Sequence, residues 1–137
     1  MKKYSNVLLK IVFSLILLIP ILGAVHVFPA PTQEMYNNPR SFAFIQMLMD
    51  SASYINYIMA FVFGLSLVLV WTKRMALAAL LVLPITVNIV AFHAFLDGGL
   101  ITSGAIPGVV FAVLNGYFLW QQRAAYSQLF AYWSDTD

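Results

Sequence analysis

The 137-residue chain contains no cysteine and little charge of either sign. The first absence removes structural disulfides, thiolate metal sites and dithiol redox chemistry. The second is the sharper constraint. Charged residues make up 9% of the chain and apolar residues 62%, whereas soluble domains carry about 45–50% apolar and about 25% charged residues. The net charge is only +2, and the basic residues stand at the ends of apolar runs instead of forming a patch, so nucleic acid is not an expected partner. No Asp or Glu interrupts a long apolar run, which argues against autonomous proton antiport through a membrane carboxylate. Neither a Ser-His-Asp constellation nor a phosphate-binding glycine loop can be assembled, so a non-enzymatic role is expected.

What is present is a set of four uncharged or nearly uncharged apolar runs, at residues 7–28, 52–71, 75–95 and 105–120. The first follows Lys2 and Lys3 as a signal peptide would, but about 22 residues at 1.5 Å each span a full hydrocarbon core, and it reads as a retained helix. Each run must be helical, because a span in lipid has to satisfy its own backbone and four segments cannot close a barrel. The expected fold is therefore all-α, a transmembrane four-helix bundle forming a single membrane domain over residues 1–137, with the lipid bilayer as its first partner. If the spans alternate, Lys2, Lys3, Lys10, Lys73, Arg74 and Arg123 share one side and Arg40 stands on the other. Positive charge collects in the cytoplasm, so both termini are expected inside a cell (inner) membrane, with Tyr4, Trp71 and Trp120 at the inner interface. Lys10 lies inside the first span, and its stem is long enough to return the ammonium to the headgroups.

The outer connection from Pro29 to Ser51 is too long for a turn, and Pro29-Ala30-Pro31 stops the first helix. Beyond Pro39 a short helix starting at a Ser41 cap is expected, with Phe42, Ile45 and Met49 on one stripe, lying at the interface over the outer mouth; Asp50 or Ser51 would then cap the second span. Residues 121–133 form an amphiphilic C-terminal tail expected to run as helix along the inner surface. Gly104, Gly108, Ala112 and Gly116 keep a four-residue step on the fourth run, as do Ala52, Ala60 and Gly64 with Asn56 between them on the second. Small residues let helices approach in lipid, so both stripes are expected at helix contacts, within one molecule, in a homo-oligomer or against a membrane-protein partner. Pro20 and Pro84 are expected to bend their spans, and a bend widens one end of a bundle.

Polar side chains in hydrocarbon are candidate site residues. His26, Asn56, Asn88 and His93 fall in the outer halves of their runs and Asn115 nearer the middle of the fourth, which suggests an outer polar pocket and five candidate ligand-binding residues. The alternative is packing, since an interhelical Asn commonly just bonds a neighbour. His26 and His93 are expected in the last turns of two outward-running helices, where they would cap carbonyls. Two histidines at similar depth could also share haem iron or, with Asp97, form a two-His, one-carboxylate metal site. Capping and packing is the favoured reading, a small-molecule pocket the next, and no metal site is adopted. Quinone or haem are the cofactors such a pocket admits, with neither favoured. Asn88 and His93 lie about 140° apart on a helix, so they are not expected to enter one narrow cleft together.

The segment from Pro84 through Asn88-Ile89 and Phe92-His93 to Leu96 resembles the third-span signature of the DoxX-like family of small four-helix integral membrane proteins. Asn115, Tyr117, Trp120, Arg123 and Tyr126 stand where that family carries its aromatic and Arg-Tyr-rich end. The family's usual Lys near the outer end of the first span is replaced here by His26-Val27-Phe28. The resemblance covers nearly the whole chain and implies a four-span fold more than an activity. The family takes its name from a subunit of a thiosulfate:quinone oxidoreductase, and other relatives are linked to oxidative-stress complexes. Small-residue stripes without a catalytic constellation favour an accessory or interaction subunit of this type, with a redox-linked subunit or an oligomeric permease as the alternatives.

Overall fold

The computed structural model describes residues 2–131, with side chains for residues 6–127. Among these residues every regular element is helical: α1 (Lys2–Ala24), α2 (Pro39–Met49), α3 (Ser53–Trp71), α4 (Met75–Phe95), α5 (Ile106–Gln121) and α6 (Arg123–Ala131), with a 3-10 turn at Gln33–Met35 between α1 and α2. Three helices are long and apolar enough to cross a membrane, over Asn6–Ala24, Ser53–Trp71 and Met75–Phe95. The fourth, α5, has 16 residues, about 24 Å at 1.5 Å per residue, short of a hydrocarbon core of about 30 Å.

α1 packs along α3, α3 along α4 and α4 along α5, and a thinner seam between α1 and α5 closes the ring. The Thr72-Lys73-Arg74 link is too short to let α3 and α4 separate, so they run antiparallel as neighbours. Aromatic side chains fill the middle of the ring. Phe13 of α1 stacks on Phe111 of α5 at 5.3 Å and meets Phe118 edge-on at 5.2 Å, and Phe63 of α3 approaches Phe111 at 6.1 Å. Leu17, Ala78, Ala79 and Val82 complete a core closed to solvent. The outward faces are as apolar as this core: Leu8, Ile11, Leu15 and Ile19 on α1, Ile58, Phe61, Leu65 and Val68 on α3, and Val110, Val113 and Trp120 on α5 are all exposed. A surface this apolar on each of the longer helices suits lipid as solvent.

At one end of the ring Tyr117 donates to Asn6 Oδ1 at 3.0 Å, Trp71 Nε1 to Ser14 Oγ at 3.1 Å, and Tyr126 of α6 to the Ala76 carbonyl at 2.7 Å. Lys73, Arg74 and Arg123 lie at this end. The predicted tail helix is thus present as α6 through Ala131, and Trp133 lies outside the described residues.

Several local expectations change. α1 ends at Ala24, not Phe28: the Val27 N–H bonds the Leu22 carbonyl and the His26 N–H that of Gly23, both at 3.0 Å, with His26 at φ 58°. This is a Schellman stop with histidine in the left-handed position usually held by glycine. His26 therefore lies past the helix, exposed, and not in its last turn. α2 begins two residues before Ser41, with Asn38 as its cap accepting from the Arg40 N–H and Pro39 at its first position. Asp50 closes α2, and α3 starts after Ala52 with no side-chain cap, so neither Asp50 nor Ser51 caps it.

Candidate functional site

At the end of the ring opposite Lys73 and Arg74, α1, α2, α3 and α4 diverge around a partly open cavity of about 940 Å³, within the range of about 300–1,000 Å³ typical of small-molecule sites. α1 contributes Ile19, Pro20, Gly23 and Ala24, and the chain after it the rim from Phe28 to Pro31. α2 turns Phe44, Ile45, Leu48 and Met49 inward, α3 presents Asn56, Tyr57 and Met59, and α4 presents Ile85, Asn88, Ile89, Phe92 and His93. α2 lies beside this space as a separate short helix because Asp50–Ala52 break it from α3.

Four of the five candidate residues, His26, Asn56, Asn88 and His93, line this one cavity; Asn115 does not. The expectation for Asn88 and His93 concerned a narrow cleft; this space is wide, so two side chains well apart on α4 border the same volume. The four differ in what they do. Asn56 Nδ2 donates to the Leu48 carbonyl at 3.0 Å and fastens the end of α2 to α3. His26 sits on the exposed rim, and Asn88 is exposed toward the cavity. His93 Nδ1 lies 3.1 Å from Asp97 Oδ2.

Asp97 is the residue whose role the sequence hid. An Asp before Gly-Gly is ordinary turn chemistry, and Gly98 and Gly99 do take positive φ there, yet the carboxylate is only 1% exposed. Its Oδ1 accepts from the Asn37 N–H at 3.0 Å and from Ser41 Oγ at 2.8 Å, while Oδ2 faces His93. Burial pushes this carboxyl up, but the bonds from Ser41, Asn37 and His93 outweigh burial and hold it below the usual carboxylate range. The same charge, added to burial, raises the nearby Tyr36 phenol. Asp97 thus ties the long α1–α2 connection and the first turn of α2 to the end of α4. Tyr36, Phe42, Phe44 and Phe92 form an aromatic cluster beside it.

The two-His, one-carboxylate arrangement is not assembled: among the described residues no three His, Cys, Asp or Glu side chains gather to hold a metal. Asn115 lies instead in the α4–α5 core, 1% exposed, donating to Thr86 Oγ1 at 3.2 Å, with its Oδ1 buried and unpartnered.

The glycine stripe on α5 divides. A Cβ on Gly108 would meet Ile89 Cγ2 at 2.7 Å and His93 Cδ2 at 3.4 Å, and one on Gly104 would meet Asp97 Oδ2 at 3.7 Å, so these two admit α4 and its loop. Gly116 has nothing within 4 Å. Gly104 precedes α5, and on the helix a four-residue step turns about 40° per repeat, so two steps carry Gly116 about 80° from the face of Gly108. Gly64 faces Ile21 of α1 at 4.0 Å.

Compared with protein-family models, curated proteins and solved structures, the chain matches none of them.

Proposed function

We propose that the chain is a four-span protein of the cytoplasmic membrane, of the DoxX-like type, with both termini inside, serving as a non-catalytic subunit that holds a small amphipathic molecule in its outer cavity. The observation that carries this reading is the 940 Å³ cavity, apolar in its walls, with His26, Asn56, Asn88 and His93 on its lining and exposed apolar faces on the helices around it. Such a space between helices, apolar with a few convergent polar groups, is the usual form of a small-molecule site. Support for the topology comes from charge: Lys73, Arg74 and Arg123 lie at one end of the ring, and Arg40, at the start of α2, lies at the cavity end. In this reading α5 completes the fourth span with local bilayer thinning or with α6 beside it. The family resemblance rests on the α4 segment from Pro84 to Leu96.

The test is native mass spectrometry of protein released from nanodiscs formed directly from cell membranes, with an optical spectrum of the same sample. One amphipathic molecule per chain, lost in Asn88→Ala and His93→Ala variants that keep their helical circular dichroism, is the expected result. A Soret band or a recovered quinone would assign the redox-linked role. Protein that carries nothing and accepts no added amphiphile would overturn the ligand-holding reading.

A further inference from the structure

The surroundings of the His93–Asp97 pair assign its proton. Asp97 Oδ1 is occupied by the Asn37 N–H and the Ser41 hydroxyl, and Oδ2 is the atom 3.1 Å from His93 Nδ1. A carboxylate held among donors only accepts, so Nδ1 carries the hydrogen, and in the neutral imidazole Nε2 is then a bare lone pair. Among the described residues Nε2 has no hydrogen-bond partner, and the enclosed, unpaired side-chain atom there is Asn115 Oδ1, not this nitrogen. The ring edge carrying Nε2 passes over Gly108, where a Cβ would stand 3.8 Å away, and the residue lines the cavity. Nε2 is thus an accessible acceptor on a residue that lines the apolar cavity, as does the exposed Asn88 on the same helix.

Charge narrows the occupant further. Among the described residues no Lys or Arg lines the cavity, so an anion would meet no fixed cation there and would face the Asp97 carboxylate. A cation would need Asp97 itself, whose oxygens are engaged and which is 1% exposed. What fits is a neutral head group with a hydrogen to give.

We propose that the cavity takes a neutral amphipathic molecule with a hydroxyl head, a phenol or long-chain alcohol, which donates its O–H to His93 Nε2 while its apolar part lies over Ile19, Met59, Ile85 and Ile89. The proposal rests on the ligand-holding reading above and specifies the head group. Asp97 is a positioning residue, acting through the tautomer it imposes on His93.

The probes are 4-nonylphenol and its methyl ether, present together at equal mole fraction in nanodiscs holding the full chain. Bound phenol and ether are counted by native mass spectrometry at about pH 8.5, below the ordinary phenol pKa of about 10, so that the phenol keeps its hydrogen. The wild type should hold the phenol about tenfold over the ether, the worth of one hydrogen bond in an apolar site. Asp97→Asn keeps an oxygen for Asn37 and Ser41 but sets an amide donor against Nδ1, moving the hydrogen to Nε2. Because phenol and ether both accept, the preference should fall to within about twofold. His93→Ala should abolish it. Equal binding of both probes to the wild type, or a preference that survives Asp97→Asn, overturns the hydroxyl assignment and leaves the cavity as a ligand site. Binding of neither probe to the wild type overturns the hydroxyl assignment; only if other amphiphiles are refused as well does the ligand-holding reading fall with it.

Discussion

Replacing Asp97 with alanine removes one carboxylate from three donors at once: the Asn37 N–H, the Ser41 hydroxyl and His93 Nδ1. The three do not suffer equally. Ser41 Oγ also lies 2.6 Å from the Asn38 carbonyl, and with the carboxylate gone its single hydrogen goes to that oxygen. The His93 side chain, 15% exposed, retains some access to solvent. The Asn37 N–H loses its partner, and the end of α4 loses its link to the α2 turn. At about 1–3 kcal/mol for an abandoned donor or a lost charge-assisted bond, the local cost is about 2–3 kcal/mol, or about 30- to 150-fold in an opening equilibrium. The loss should be confined to the outer connection, because the Phe13–Phe111–Phe118 core does not touch Asp97. Hydrogen exchange in detergent should therefore show residues 37–49 losing about 30- to 150-fold in protection while α3 and α5 change by less than threefold. Unchanged protection over 37–49, or an equal loss across all helices, would refute the role given to Asp97. The pH dependence has a definite sign. The folded carboxyl is held below its usual range, so its contribution is complete above the ordinary carboxylate pKa of about 3.9 and is lost as pH falls through the lower folded value. After correction for intrinsic rates, protection of 37–49 in the wild type should hold steady down to about pH 4 and drop only below it.

Other substitutions probe the packing. Gly108→Ala puts a methyl 2.7 Å from the β-branched Ile89 and should destabilise the fold by about 1–3 kcal/mol, whereas Gly116→Ala, with open space around it, should be neutral or gain up to about 1 kcal/mol; thermal unfolding of the two in the same detergent separates them. Asn115→Leu deletes the unpartnered Oδ1 and leaves Thr86 donating to Val82 at 2.9 Å, so unfolding should show stability unchanged or higher by about 1–2 kcal/mol. A loss above about 2 kcal/mol would mean that this oxygen has a partner such as buried water. His26→Gly relieves a left-handed φ of 58° and should raise stability by about 0.5–1 kcal/mol by the same assay, since glycine enters that region without a Cβ clash.

The helices were legible in the sequence because hydropathy is a local property. The runs at 52–71, 75–95 and 105–120 coincide with α3, α4 and α5 to within a residue or so, and the basic link Thr72-Lys73-Arg74 marks the turn between two of them. The stop of α1 was misjudged because Val25, Val27 and Phe28 continue the apolar run while the backbone has already turned at His26. Hydropathy does not register a left-handed residue. Rarity singles out the polar residues, but their roles depend on distances that spacing along the chain does not carry. Ser41 and Asp97 meet across 56 residues, and neither had an apolar period that pointed to the other. Asp97 hid behind its glycines, since Asp-Gly-Gly is sufficient explanation for a turn. Gly116 leaves the α4 seam by phase: a constant step of four drifts around a helix that turns every 3.6 residues.

On the proposed topology the cavity opens to the outer face of a membrane whose inner face carries Lys73 and Arg74. The absence of cysteine allows a direct measurement, in which single Asn88→Cys and Lys73→Cys chains are exposed in intact cells to a membrane-impermeant maleimide, before and after permeabilisation. Asn88→Cys should react in intact cells and Lys73→Cys only once the membrane is opened. Labelling of Asn88→Cys solely after permeabilisation, or of Lys73→Cys in intact cells, would contradict it.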